Sequence, residues 1–162
     1  MSVPKSEREE SEPQFVETAR LLNVEIAQTV ANGPKKYMVT YGDRLVNLAL
    51  DVYSEVIQAN SIHPSKGVRA EQDYLQRRHH LMEARGKVEA VAALAQIYFE
   101  VLKAARGLQR NKGQIMESGE KIARRKKLNS QMKRIGLACE EELRLINGVL
   151  KSDTIRFKKY NG

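Results

Sequence analysis

The sequence predicts an all-α chain folded as an antiparallel up-down four-helix bundle, and three observations carry that expectation. All four prolines, Pro4, Pro13, Pro34 and Pro64, stand in the first 64 residues, so the longer remainder is free of the residue that most strongly breaks helices. Alternation of period two is missing, and apolar residues recur instead at spacings of three and four in each long segment. With 162 residues, 41% of them hydrophobic, the chain is of a size to bury one core. Four helices with one apolar stripe each pack most simply as a bundle, because every stripe needs neighbours on two sides.

The first helix is expected from about Glu12 to Ala31. Ser11 and Gln14 have the spacing of a capping box, Phe15, Ala19, Leu22, Ile26 and Val30 form its inner face, and Gly33-Pro34 stops it. The second is expected to start near Thr40, with Thr40 and Asp43 as caps and a stripe of Leu45, Leu48, Ala49, Val52, Val56 and Ile57, and to end between Asn60 and Pro64. The third runs from about Val68 to Arg106. Its core residues are Tyr74, Leu81, Val88, Ala92, Ala95, Phe99 and Leu102, and Gly107 closes it. The fourth spans about Gln114 to Lys151 and buries Ile115, Ile122, Met132, Ile135, Cys139, Leu143, Ile146 and Leu150. Residues 1–10 are charged and lack apolar periodicity, which predicts a mobile tail. Residues 11–155 form the bundle and 156–162 a basic C-terminal tail. Small residues, Ala90, Ala92, Ala93 and Ala95 in the third helix and Gly136 and Ala138 in the fourth, would allow close helix approach within or between subunits.

Charge is concentrated. Between Lys103 and Arg134 stand eleven Lys and Arg against only Glu117 and Glu120, a local +9 in a chain whose total is +8, so the basic excess belongs to one region. The run Lys121, Arg124, Arg125, Lys126 and Lys127 cannot point one way, because four consecutive helical residues fan over about 300°. Arg124, Lys127 and Arg134 fall on one stripe, and Lys126 and Lys133 on a second. Such a face suits a sugar-phosphate backbone: Arg grips phosphate with two N–H bonds, Lys supplies a point charge, and neither specifies a base. Lys35 and Lys36 beside Tyr37 and Tyr41, and Arg156, Lys158 and Lys159 around Phe157 and Tyr160, are further basic groups with aromatic neighbours. The plainer reading of all of these is a solvated helix face and packing tyrosines.

Several chemistries find no support. One cysteine, Cys139, excludes an intramolecular disulfide and a cysteine-rich zinc site, and fits a reducing cytoplasmic setting. His79, His80 and Glu83 supply too few ligands for a metal, and none is expected. Neither Cys139 nor any serine has a recognisable base, and Gly107 to Gly113 lacks the spacing of a phosphate loop, so neither an enzyme nor a cofactor is expected. The N-terminal MSVPKSEREESEP lacks a signal peptide's apolar run, and no stretch of 18 apolar residues predicts a membrane span.

Taken together, the segments YGDRLVNLAL (41–50), QANSIHP (58–64), Arg77-Arg78 and INGVLKSD (146–153), followed by Arg156 and Phe157, carry a family resemblance. Over residues 35–160 the chain resembles the accessory variability determinant proteins of diversity-generating retroelements. The resemblance implies a basic, non-catalytic homo-oligomer, typically a pentamer, that binds the retroelement's reverse transcriptase and its RNA or cDNA without sequence preference. On this reading Lys121, Arg124, Arg125, Lys126, Lys127, Lys133, Arg134, Lys35 and Lys36 meet nucleic acid. Arg77, Arg78, Arg85 and Lys87, offset by Glu71, Asp73, Glu83 and Glu89, give a mixed surface suited to a protein partner, or else intrahelical pairs such as Asp73 with Arg77. The alternative is a helical interaction module whose basic face docks an acidic protein, with no role for nucleic acid.

Overall fold

The computed structural model describes residues 5–64, 67–109, 113 and 116–160, with the side chains of residues 5–13 left aside. Four helices carry the architecture: α1 (Lys5–Ala31), α2 (Asp43–Ser61), α3 (Ala70–Ala105) and α4 (Gly119–Arg156). No strand occurs among the described residues. Each helix packs chiefly on its neighbours around a square, α1 on α2 and α4, and α3 on α2 and α4. The pairs run antiparallel. Val30 at the end of α1 abuts Gly42 at the start of α2. Arg77, early in α3, reaches Ala59 near the end of α2 and Asp153 near the end of α4, while Leu102, late in α3, shares a cleft with Leu128, early in α4.

The register of α3 explains most of the core. Positions 74, 77, 81, 84, 88, 91, 95, 98 and 102 alternate spacings of three and four, and all nine are buried. Phe15, Ala19, Leu22, Ile26 and Val30 of α1 and Leu45, Ala49, Val52 and Val56 of α2 are buried as their spacing predicts. Ile57 and Ile122 are exposed instead, and Leu48, Ala92, Met132 and Leu143 pack on the core from its margin. Gln114 and Ile115 lie outside the described residues.

Helix ends differ from expectation where local signals compete. The backbone is helical from Lys5, so Ser11 lies within α1 and does not cap it, and the stretch expected as tail joins the helix from that residue onward. No side-chain cap opens α2 either: a 3-10 turn (Lys35–Tyr37) and a π turn (Met38–Gly42) lead into it, so its first N–H groups are met by a continuing helical backbone. Ser118 caps α4 by accepting a hydrogen bond from the Lys121 N–H at 3.2 Å. Gly107 closes α3 as expected. Its φ of 65° is left-handed, its N–H reaches the Ala104 carbonyl, and the Leu108 N–H reaches that of Lys103, which is the Schellman pattern, with Leu108 buried beneath the turn.

One close approach and one open cleft decide where small residues matter. A Cβ at Gly33 would lie 2.1 Å from the hydroxyl of buried Tyr98. Gly33→Ala is therefore expected to destabilise the bundle by about 1–3 kcal/mol, and Tyr98→Phe to restore most of that loss in the double variant, as read by urea unfolding. Equal losses in the single and double variants would place the cost in the backbone. At Gly136 a Cβ would meet nothing within 4 Å, so this glycine, with Ala92 and Ala95, borders an open cleft of about 410 Å³ between α3 and α4 rather than a tight crossing. Ala90 and Ala93 face outward.

Candidate nucleic-acid interface

An up-down bundle places the α1–α2 and α3–α4 connections at the same end. That topology gathers Lys35 and Lys36 with Arg106 and the first half of α4 at one end of the molecule, although their sequence separation is large. Lys35 and Lys36 are exposed, and the Lys36 ammonium stands 4.8 Å from the centre of the Tyr37 ring. Tyr37 and Tyr41 pack on one another and then on Tyr98, which ties these aromatic rings to the core.

Within α4 the cations divide into held and available ones. Arg125 is 17% exposed; it donates to both oxygens of Glu117 and, at 2.7 Å, to the Leu108 carbonyl, and the Glu117 carboxylate raises its pKa. This arginine locks the α3–α4 connection and is not a free contact for phosphate, a correction to its assignment from sequence. Arg124 pairs with Glu120 one turn away, both well exposed, a pair that water and salt screen. Arg134 pairs with Glu25 of α1 at 3.3 Å. Glu25 stands 109 positions earlier in the sequence and reaches Arg134 only through the packing of α1 on α4. Lys126, Lys127 and Lys133 are exposed and form no ion pair among the described residues, and Lys121 is half-buried. Lys126 and Lys133 point away from the core, whereas Lys127 and Arg134 flank it on the α1 side.

The C-terminal basic group does not join this surface. Arg156 lies 32 residues along α4 from Arg124, about 48 Å at 1.5 Å per residue, at the opposite end of the bundle. Its aromatic neighbours are occupied: Phe157 and Tyr160 stack on each other and on buried Tyr74, at centroid distances of 5.2–6.3 Å. Residues 158–160 form a 3-10 turn over that cluster, so the segment expected as a tail is folded up to Tyr160.

The surface expected to meet a protein partner is also revised. Arg77 is 1% exposed and lies inside the bundle. It donates to Asp153 at 2.7 Å and to the carbonyls of Ala59 and Ile62 at 3.0 and 3.2 Å, binding the C-terminal end of α2, where a cation complements the exposed carbonyls, to the last turns of α4. Burial in the α3 core register removes it from both the surface and the suggested pair with Asp73. Arg78 reaches toward Thr154 of α4 at 3.4 Å, and Arg85 is half-buried. Lys87 donates to Glu55 at 2.8 Å, and His80 meets the other oxygen of that carboxylate at 2.6 Å. Both contacts lower the Glu55 pKa against its burial, and the carboxylate raises that of Lys87. His80 is thus engaged across the α2–α3 seam, while Glu83 stands exposed.

Two further ionisable groups, Glu142 and Cys139, are buried in α4. Glu142 has no solvent exposure, and neither carboxylate oxygen has a hydrogen-bond partner among the described residues. Burial, with a smaller contribution from neighbouring Glu141, pushes its pKa up to about 8. Burial likewise holds the Cys139 thiol up at about 12, protonated and a poor nucleophile at neutral pH. Register was the sequence signal for Glu142: it continues the 135, 139, 146, 149 spacing of the α4 core.

Comparison with protein-family models, with curated proteins and with solved structures finds no match to this chain.

Proposed function

We propose that this chain is a non-catalytic, cytoplasmic accessory protein that binds nucleic acid electrostatically through the basic end of its bundle. The observation that carries the reading is the gathering at one end of Lys35, Lys36, Arg106, Arg124, Lys126 and Lys127, from three separate stretches of chain, with Lys133 two turns further along α4. Exposed lysines on a rigid helix suit phosphates and carry little base information, so binding is weakly selective and steeply salt-dependent. The retroelement setting rests on the resemblance of the segments 41–50, 58–64 and 146–153. In that setting the protein supports mutagenic reverse transcription, docking the reverse transcriptase and holding template RNA or cDNA. It works as a homo-oligomer, a pentamer by the same resemblance. Supporting self-association is an apolar strip on the outer face of α3, where exposed Leu75, Met82 and Ile97 are spaced by Gly86, Ala90 and Ala93.

The test is a titration of nuclease-treated protein against labelled RNA and a matching DNA duplex across salt concentrations, with mass followed by light scattering. Replacing Lys126, Lys127 and Lys133 together by Gln is expected to flatten the slope of log affinity against log salt by about 2–3, whereas Lys158→Gln with Lys159→Gln, at the opposite end, leaves it unchanged. An unchanged slope in the first variant overturns the assignment of this face. Capture of an acidic protein after nuclease treatment, without nucleic-acid binding, would favour the alternative of a helical interaction module.

A further inference from the structure

The basic end is not a flat surface. Between the end of α1, the end of α3 and the first half of α4 lies a cleft of about 480 Å³, within the range of small-molecule sites. Arg106, just past the end of α3, and Arg124 and Lys127 of α4 line it, and among the described residues no carboxylate does. At its bottom it reaches Leu102 and Leu128, both nearly buried. Thr29, Asn32 and Gln131 supply a hydroxyl and two amides.

Each part has a chemical consequence. Three cations from separate turns can surround one phosphate, and the exposed Arg124–Glu120 pair is weak enough to yield an arginine to a dianion. The two leucines offer phosphate nothing but give a base a small apolar contact, whose burial gains from leaving water. Amides present a donor and an acceptor side by side, the pattern that reads a base edge when the base is unpaired. A duplex presents its bases stacked and paired, and cannot fill such a cleft. Screening of the terminal carbonyls of α1 and α3 accounts for cations at this position, but not for two amides, a hydroxyl and two leucines lining one cleft with them.

From this we infer that the cleft holds one nucleotide unit, its phosphate among Arg106, Arg124 and Lys127 and its splayed base on Leu102 and Leu128, and so gives the protein a preference for single strands. The inference rests on the nucleic-acid reading above and adds to it a pocket and a substrate form.

Adenosine and uridine 5′-monophosphate and inorganic phosphate serve as separate probes on the full chain, followed by methyl and side-chain amide NMR shifts, beside titrations with single-stranded and duplex RNA. Both mononucleotides are expected to shift the Leu102 and Leu128 methyls and the Gln131 amide, with inorganic phosphate leaving the methyls in place. Asn32→Ala with Gln131→Ala, surface changes that keep every charge, are expected to reduce the preference for single strands roughly tenfold, the worth of one or two hydrogen bonds. Methyls unmoved by any nucleotide, or an unaltered preference in the amide variant, overturn the inference. Salt-dependent polymer binding can survive that result, which separates the two failures. Mononucleotide shifts in a protein that binds no RNA or DNA would instead keep the pocket as a site for free nucleotides and remove the reading on which it was built.

Discussion

Replacing Arg77 by Met is expected to cost about 3–5 kcal/mol of folding stability, a large share of the roughly 5–15 kcal/mol by which domains of this kind are stable. The loss comes from what remains behind. Asp153 keeps a carboxylate in an interior site, and the carbonyls of Ala59 and Ile62 lose the guanidinium that meets them. Lys at position 77 is not an adequate substitute, because a single ammonium cannot span a carboxylate and two carbonyls as a planar fork does. Removing both charges in an Arg77→Met, Asp153→Leu double variant should cost clearly less than the sum of the two single changes, since both members of the buried pair are then gone. Urea unfolding of the four proteins gives the coupling directly. A loss below about 1 kcal/mol for Arg77→Met, or strict additivity in the cycle, would show that the three-helix tie contributes little.

Glu142 makes the opposite prediction: Glu142→Leu stabilises the protein at pH 8. The direction follows from the two states. In the unfolded chain the carboxyl titrates near 4.5, whereas in the folded protein burial holds the proton on until about pH 8. Between those values the folded state binds more protons than the unfolded one, so stability is full below about 4.5, falls by about 1.4 kcal/mol per pH unit, and levels off above 8. Across the whole window the loss amounts to roughly 4–5 kcal/mol. With Leu at this position the dependence disappears, and the gain over the native chain should be several kcal/mol at pH 8 and small at pH 4.5. Every other ionisable residue is common to the two proteins, so the difference between their pH profiles isolates Glu142. Parallel profiles from pH 5 to 8 would mean that the carboxylate is solvated or paired in solution.

These two residues also mark where reasoning from sequence ran out. Helix content, the order of four helices and most of the core were legible, because spacings of three and four are a local property that a buried helix face imposes on any chain. Gly107 was legible for the same kind of reason: a left-handed turn after a helix asks for glycine whatever packs around it. Arg77, Glu142 and Asp153 stand in the apolar register, yet their residue type argued for the surface. Whether such a residue is pulled in depends on neighbours that sequence distance hides, such as Asp153 76 positions from Arg77, and Glu142 is buried with no hydrogen-bond partner among the described residues.

The candidate site divides along the same line. Sequence by itself determined that cations are dense from Lys103 to Arg134, since that is a count. Only the tertiary structure decided which of them are free: Glu25 arrives from α1 to meet Arg134, Glu117 and the Leu108 carbonyl hold Arg125, and Lys126, Lys127 and Lys133 are left in solvent. It also brought Asn32, Arg106 and Gln131 around one cleft and sent Arg156, Lys158 and Lys159 to the far end. The physical reason is that charge and periodicity are written residue by residue, whereas neutralisation and enclosure belong to pairs of groups, and pairs exist only once antiparallel helices have set which turns lie side by side.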